Sequence, residues 1–322
     1  MSRIALLTKA TPRFEDDNYL RFGRLLSTSN EVSLVNFDSL QLRENAIWGQ
    51  QFPWQDYFQP GAEMPLSRFG PIEHDLVWTL SLGDRSSFLD KYQLLYALSK
   101  QTTVINSLTA LMHLKSKYYL ATRPEQFPQP ETHASSSASE LIKLIRHRGG
   151  KWIVKPPAGS LGRDVFLVSP RDTNLNTILE HMCGLDETRY AMIQRYAPQI
   201  EAGEKRVLLA GGRIIDQYRR LQKIDHRTNV SQGASTEHCK LTAEERDYCS
   251  GLAEELLDEG VYFSGIDLAW PWLIETNVVN PGGIITLQAL TGQDRTEDVL
   301  SAILESLKPK GLRLSFKAEP VS

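Results

Sequence analysis

Short apolar runs recur along this chain, each bracketed by polar or helix-spaced sequence. IALL at residues 4–7, EVSLVNF at 31–37, DLVWTL at 75–80 and TVIN at 103–106 are of this kind. Runs that short do not make a buried helix, and they read as strands covered on both faces. Between them, helical spacing appears at Tyr19, Phe22, Leu25 and Leu26, and again at Phe88, Leu89, Tyr92, Leu95 and Tyr96. Strands alternating with helices predict a parallel α/β layer in roughly the first 120 residues. Residues 43–70 carry aromatics and prolines without a clean period and are expected to form an irregular insertion.

The stretch FPQPETHASSSAS, residues 127–139, marks a boundary, because its prolines exclude helix and its serines favour solvent. A basic helix over 140–148 follows, then the strand KWIVK, the loop PPAGSLGR, the strand DVFLV, a helix over 174–183 and the strand YAMIQ. The last third opens with a hairpin, KRVLLA and RIID around Gly211-Gly212, a pair suited to the positive φ of a tight turn. A polar loop is expected over 222–240. Thr242 and Glu245 form a capping-box pattern for a helix over 242–259. The strands VYFSGIDLAW and WLIETNVV come next, then a Pro-Gly-Gly loop and a final helix over 294–306.

With 322 residues, 41% of them hydrophobic and 23% charged, the chain can bury a sizeable core. A net charge of −3 predicts no general attraction to nucleic acid or to an anionic membrane. No run approaches the ~20 apolar residues that span a bilayer. The cysteines Cys183, Cys239 and Cys249 are odd in number and far apart, which fits a reducing cytoplasm rather than a disulfide framework. The histidines show no HxH or HxxxH spacing, so a histidine metal site is not expected.

Three stretches can carry chemistry. In SGIDLAWPWLIETNVVNPGG, Glu275 and Asn277 stand two apart and share a strand face, and a turn at Trp270-Pro271 brings Asp267 beside them. Three oxygen ligands on adjacent strands suit a hard cation such as Mg²⁺; the alternative is a solvated sheet face. Lys155, ending a buried strand before Pro156-Pro157-Ala158-Gly159-Ser160-Leu161-Gly162, can present an ammonium and backbone N–H groups to phosphates, or the loop can be a plain turn. The stretch from Gln194 to Pro198, followed by Glu204-Lys205-Arg206, either lines a cleft between two units or is an exposed linker.

Taken in order, these stretches resemble the bacterial glutathione synthetases of the ATP-grasp superfamily over most of residues 104–290. VINSLTAL followed by Lys117, FPQPET, IVKPPAGSLG, QRYAPQIEAGEKRVL, HRTN and GIDLAWPWLIETNVVNPGG carry the likeness, with eight residues from Asp267 to Glu275. The resemblance implies an α/β chain whose grasp part is α+β. An N-terminal parallel α/β pre-grasp domain (1–121) would precede a lid subdomain (122–195) and a C-terminal subdomain with the metal site (196–322). It implies ATP and Mg²⁺ as cofactors, with Mn²⁺ as an alternative ion. Lys117 and Lys155 would contact phosphates, and Gly159, Ser160 and Gly162 would close over them. Gln194 and Tyr196 would lie by the adenine and Glu204 by the ribose. Asp267, Glu275 and Asn277 would hold the metal. Arg206 and Asn229 would line the reaction centre, and Arg220, Arg227, Asn280, Gly282 and Gly283 would meet substrate.

The activity so implied is ATP-dependent joining of a carboxylate to an amine through an acyl phosphate, with γ-glutamylcysteine and glycine as the first substrates to consider. Small-molecule or peptide substrates are expected and a homo-oligomer is implied; nucleic acid and membrane partners are not. Four departures from the family pattern stand out, the first of them at two positions. Ala158 and Leu161 replace an Asp and a Gly of the lid loop, WTLSLGDRSSF replaces a basic, proline-containing segment, Leu221 stands where a substrate arginine is usual, and Leu108 replaces a proline. The lid-loop changes bear on closure and phosphate contact, while the N-terminal segment and the displaced arginine bear on selection of the peptide substrate, so ATP use is the firmer expectation. Other readings are a ligase acting on a different peptide or protein, and a nucleotide-binding regulator with a degenerate site.

Overall fold

The computed structural model describes every residue except 115, 158–163, 185, 222–234, 309–310, 313 and 318–322. The first sheet contains β1 (Arg3–Thr8), β2 (Glu31–Asn36), β3 (Gln41–Arg43), β4 (Ala46–Pro53), β5 (Arg68–Pro71), β6 (Leu76–Thr79) and β7 (Thr103–Ile105). Its parallel centre is the expected one: β1 lies between β2 and β6, and β6 pairs with β7. Ile4 through Leu7 are fully buried because both faces are covered. Ile4 and Leu6 meet helix α1 (Asn18–Ser27), while Ala5 and Leu7 share a core with Leu95 and Leu98 of α2 (Phe88–Leu98).

Two expectations for this region are corrected. Residues 43–70 are not irregular throughout: β4 runs antiparallel to β2 and, farther along the same edge, to β3, and it carries β5 on its other edge. Its inward positions include Gly49 and Gln51, so no apolar alternation marks it; Gln51 is 1% exposed and its amide donates to the carbonyls of Gly70 and Pro71. On α2 the buried face is Lys91, Leu95 and Leu98, while Leu89 and Tyr96 are exposed. Lys91 tolerates burial because its ammonium pairs with Asp38 and donates to the Asp84 carbonyl.

After α3 (Lys117–Ala121), the second sheet comprises β8 (Thr132–Ser135), β9 (Trp152–Lys155), β10 (Phe166–Val168) and β11 (Ala191–Arg195), in the order β10-β9-β11-β8 and all antiparallel. Residues Thr132–Ser135, from the stretch expected to be a boundary, thus form a half-buried edge strand that includes the first of its serines. Helices α4 (Ala138–Arg148) and α5 (Leu175–Cys183) cover one face, packing Leu141, Ile145 and Leu179 on Trp152, Val154 and Ile193.

The third sheet contains β12 (Glu204–Ala210), β13 (Arg213–Leu221), β14 (Ser235–His238), β15 (Phe263–Ala269) and β16 (Trp272–Asn277), in the order β14-β13-β12-β15-β16. Gly211 and Gly212 make the turn, with φ of 53° and 76°. Strand β14 falls inside the stretch expected to be a loop. Helix α6 (Ala243–Asp258) carries the full capping box at Thr242 and Glu245 and packs on Val207, Leu209 and Ile266. The chain ends in α7 (Ile284–Thr291), which was not expected, and α8 (Thr296–Leu307). Helix α7 spreads its five apolar residues of eight without a helical stripe and starts without a side-chain cap, so it lacks the usual sequence signals.

The first and third sheets share one core. Phe22 and Trp78 stack with centroids 4.5 Å apart, and Phe263 meets Phe22 edge-on at 5.6 Å. Asn106, fully buried, ties the sheets further: its amide donates to the carbonyls of Phe263 (2.7 Å) and Val278 (2.6 Å), and its oxygen accepts from the N–H groups of Tyr262 and Phe263. Among the described residues, no helix is long and apolar enough to cross a membrane, and all three cysteines are free.

Candidate active site

Alternation along the strands of the third sheet builds the site. Val207, Leu209, Ile266 and Leu268 point to α6. The opposite face therefore carries Glu204 and Arg206 on β12, Tyr218 and Arg220 on β13, Gly265 and Asp267 on β15, and Glu275 and Asn277 on β16. Register aligns them in rows: Glu204 is opposite Arg220, Arg206 is opposite Asp267, and Asp267 is opposite Glu275. Farther along, the same face turns apolar at Leu208, Ala210 and Phe263, which join the core shared with the first sheet. Gly265 leaves room for the loop above it: a Cβ there would stand 2.9 Å from Pro281 Cβ and 3.2 Å from Arg206 Cδ.

Charges on this face are closely paired. Arg206 grips Asp267 with two bonds, Nε to Oδ1 at 2.5 Å and Nη2 to Oδ2 at 2.9 Å, and Arg220 pairs with both Asp267 and Glu204. Burial opposes ionisation of Asp267, yet the two guanidinium groups outweigh it and hold the carboxyl below its ordinary range. Asn277 donates to Asp267 Oδ2 at 3.4 Å. Lys117, opening α3, reaches Glu275 Oε1 at 2.8 Å.

The second sheet contributes Lys155. Trp152 and Val154 face α4 and α5, so Ile153 and Lys155 face the other way, level with Gln194 and Met192 of β11. Lys155 is 7% exposed and donates to Gln194 Oε1 at 2.8 Å. Burial, helped by Lys117, pushes its amine down to about 7, against the pull of Glu275 and Glu204. Gln194 is fixed in turn by Thr132 (2.9 Å) and Gln129 (3.3 Å). Gln129 also donates to the Leu273 carbonyl, and Leu273 N–H donates to that of Pro128, so the entry to the second sheet is bonded to β16.

Lys117, Lys155, Gln194, Glu204, Arg206, Arg220, Asp267, Glu275 and Asn277 therefore form one neighbourhood. Tyr196 follows β11 with its hydroxyl donating to Glu201; burial and that carboxylate push the phenol up to about 12. Asn280 is bonded to Asp17 and Asn18 on the N-terminal side, while Gly282 accepts from Arg206 Nη1 at 3.0 Å and Gly283 precedes α7. Gly159, Ser160, Gly162, Arg227 and Asn229, with Ala158 and Leu161, lie outside the described residues. Gln129, Thr132, Asp17 and Asn18 were not singled out from sequence; only FPQPET, which contains Gln129 and Thr132, pointed near any of them.

Among the described residues no three His, Cys, Asp or Glu side chains cluster as a metal site. The set here is two carboxylates and an amide, all oxygen donors, which suits a hard divalent cation. Both Asp267 oxygens already accept bonds, so ligation requires Arg220 or Asn277 to turn aside. Four cationic side chains, Lys117, Lys155, Arg206 and Arg220, meet three carboxylates, Glu204, Asp267 and Glu275. That composition fits a polyanion bound together with a cation.

A family model for the ATP-grasp domain of prokaryotic glutathione synthetase matches residues 117–292. Glutathione synthetase from Gloeobacter violaceus is 29% identical over 211 residues, 65% of this chain and 64% of that protein, so the match spans under two thirds of that relative. The Rhodopseudomonas palustris glutathione synthetase is 29% identical over 297 residues, 91% of this chain and 89% of that protein. An ATP-grasp RimK domain protein from Sphaerobacter thermophilus superposes with a TM-score of 0.64 at 19% identity, covering 94% of this chain and all of that one. A first sheet with a parallel centre followed by two antiparallel sheets is the ATP-grasp arrangement, and the chain belongs to the prokaryotic glutathione synthetase ATP-grasp family.

Proposed function

We propose that this protein is an ATP- and divalent-metal-dependent ligase that joins a carboxylic acid to an amine. The observation that carries the reading is the Asp267–Glu275 cross-strand pair, ringed by Lys117, Arg206 and Arg220 and neighboured by Lys155. In the reaction, a carboxylate oxygen attacks the γ-phosphorus of ATP, giving an acyl phosphate and ADP. The amine then attacks the acyl carbon, phosphate leaves, and the amine gives up a proton. Lys117 and Lys155 hold the phosphates, and Arg206 stabilises charge on the transferred group. A Mg²⁺ ion held by Asp267, Glu275 and the Asn277 oxygen would neutralise the β- and γ-phosphoryl oxygens. The unit carrying the second sheet acts as the lid that keeps water from the acyl phosphate. Residues 1–121, 122–195 and 196–322 serve as pre-grasp, lid and C-terminal units.

Glutathione formation from γ-glutamylcysteine and glycine is the first activity to test, with other peptide acids and amines beside it. The experiment is ADP release over a panel of acid–amine pairs with Mg²⁺ or Mn²⁺. Release dependent on one pair, and lost in Lys155→Ala and Asp267→Ala, is the expected result. ATP binding without release on any pair would instead favour a nucleotide-binding regulator.

A further inference from the structure

Asp17 and Asn18 lie in the N-terminal part, outside residues 117–292, yet both bond to the loop that follows β16. Asn280 Nδ2 donates to Asp17 Oδ1 at 2.9 Å and to Oδ2 at 3.1 Å. Asn18, 3% exposed, donates from Nδ2 to Asn280 Oδ1 at 2.7 Å and to the Pro281 carbonyl at 3.0 Å. The next carbonyl but one along the chain from Asn280, that of Gly282, accepts from Arg206, which also grips Asp267. The loop is thus held at one end by α1 and at the other by the arginine of the reaction centre. At the second hold, Gly282 itself is exposed, and nothing lies within 4 Å of where its Cβ would be.

We infer that Asp17 and Asn18 are positioning residues for the substrate side of the site: they set the loop over 280–283, and with it affinity for the acid or amine but not for ATP. This rests on the ligase reading above. The clamp engages both polar atoms of the Asn280 side chain, Nδ2 facing the two oxygens of one carboxylate and Oδ1 accepting from Asn18, so the amide is fixed in one orientation while the clamp is closed. Charge-assisted bonds to the Asp17 carboxylate make it the stronger hold. Asp17 also caps α1, its carboxylate accepting from Asn18 N–H at 2.5 Å, so a plain structural role must be separated from positioning.

Asp17→Ser separates them, because serine caps a helix about as well as aspartate but is too short to reach Asn280. The expected result is a melting temperature close to wild type, faster amide hydrogen exchange over residues 279–284, and roughly a tenfold rise in KM for acid or amine with the KM for ATP unchanged. Asn280→Ala should reproduce these effects, and the double variant should add little to either. Unchanged exchange over 279–284 in both variants, or an equal rise in the KM for ATP, would overturn the inference. If wild-type protein turns over no acid–amine pair, the ligase reading fails by itself, and the exchange data still decide whether the clamp exists.

Discussion

Lys155 is the residue whose chemistry is most displaced from ordinary behaviour. An ammonium in this pocket loses water, and Lys117 adds repulsion, so half of Lys155 is neutral near pH 7 in the free protein. Phosphates arriving beside it favour the charged form, so nucleotide binding should draw in a proton. Calorimetric titration with ATP at pH 8 in buffers of different ionisation enthalpy should give an uptake approaching one proton, and close to none in Lys155→Met. The linkage runs the same way for stability. The unfolded amine holds its proton up to 10.5 and the folded one only to about 7, so the unfolded state binds more protons between these values and this group's contribution improves as pH rises through them. Arg220 plays the opposite part, serving two buried carboxylates. Arg220→Met should cost about 3–5 kcal/mol in denaturant unfolding, because Glu204 and Asp267 are left short of a partner.

What could be read from sequence differs by residue type. The closeness of Lys155, Asp267, Glu275 and Asn277 to a strand end or a turn made them candidates from sequence, whereas Lys117 entered only through the family resemblance. The engagement of Glu204 by Arg220 was not legible, since it depends on the register of the β12–β13 hairpin, and a bulge at Leu208/Leu209 resets that register partway along. Asp17 and Asn280 are too far apart in the chain for any local pattern to join them.

At the level of elements, the buried runs IALL, LVWT and KWIVK announced their strands by composition, and the Gly211-Gly212 turn announced its hairpin. Strand β4 hid behind Gly49 and Gln51, and α7 behind mixed apolar and polar residues with no helical period. The hairpin turn is also tight against α8: a Cβ at Gly211 would lie 2.1 Å from the Ala302 carbonyl oxygen, at a φ that side chains avoid. Gly211→Ala should therefore lower the unfolding free energy, read from denaturant curves, by more than the roughly 1 kcal/mol of a left-handed alanine, as the turn must also withdraw from α8. Gly61, with positive φ but open space around it, is the control, and its alanine variant should lose only the backbone part.

For the whole molecule, the first and third sheets act as one body because they share a core and because Asn106 joins them through four bonds. Asn106→Ala strips partners from buried carbonyl and N–H groups, each worth about 1–3 kcal/mol when left unmade, so the variant should unfold at clearly lower denaturant and lose the proposed ligase activity in step. The second sheet has its own core under α4 and α5 and meets the third through Gln129, Pro128 and Leu273. That separate core is what a moving lid requires. The central claim, that an acid is activated by phosphorylation in the pocket of Asp267, Glu275 and Lys155, is met most directly by isotope transfer. With the accepted acid labelled by oxygen-18 in its carboxylate, the phosphate released on amide formation should carry one labelled oxygen per turnover. Unlabelled phosphate, formed at the same rate as the amide, would contradict it.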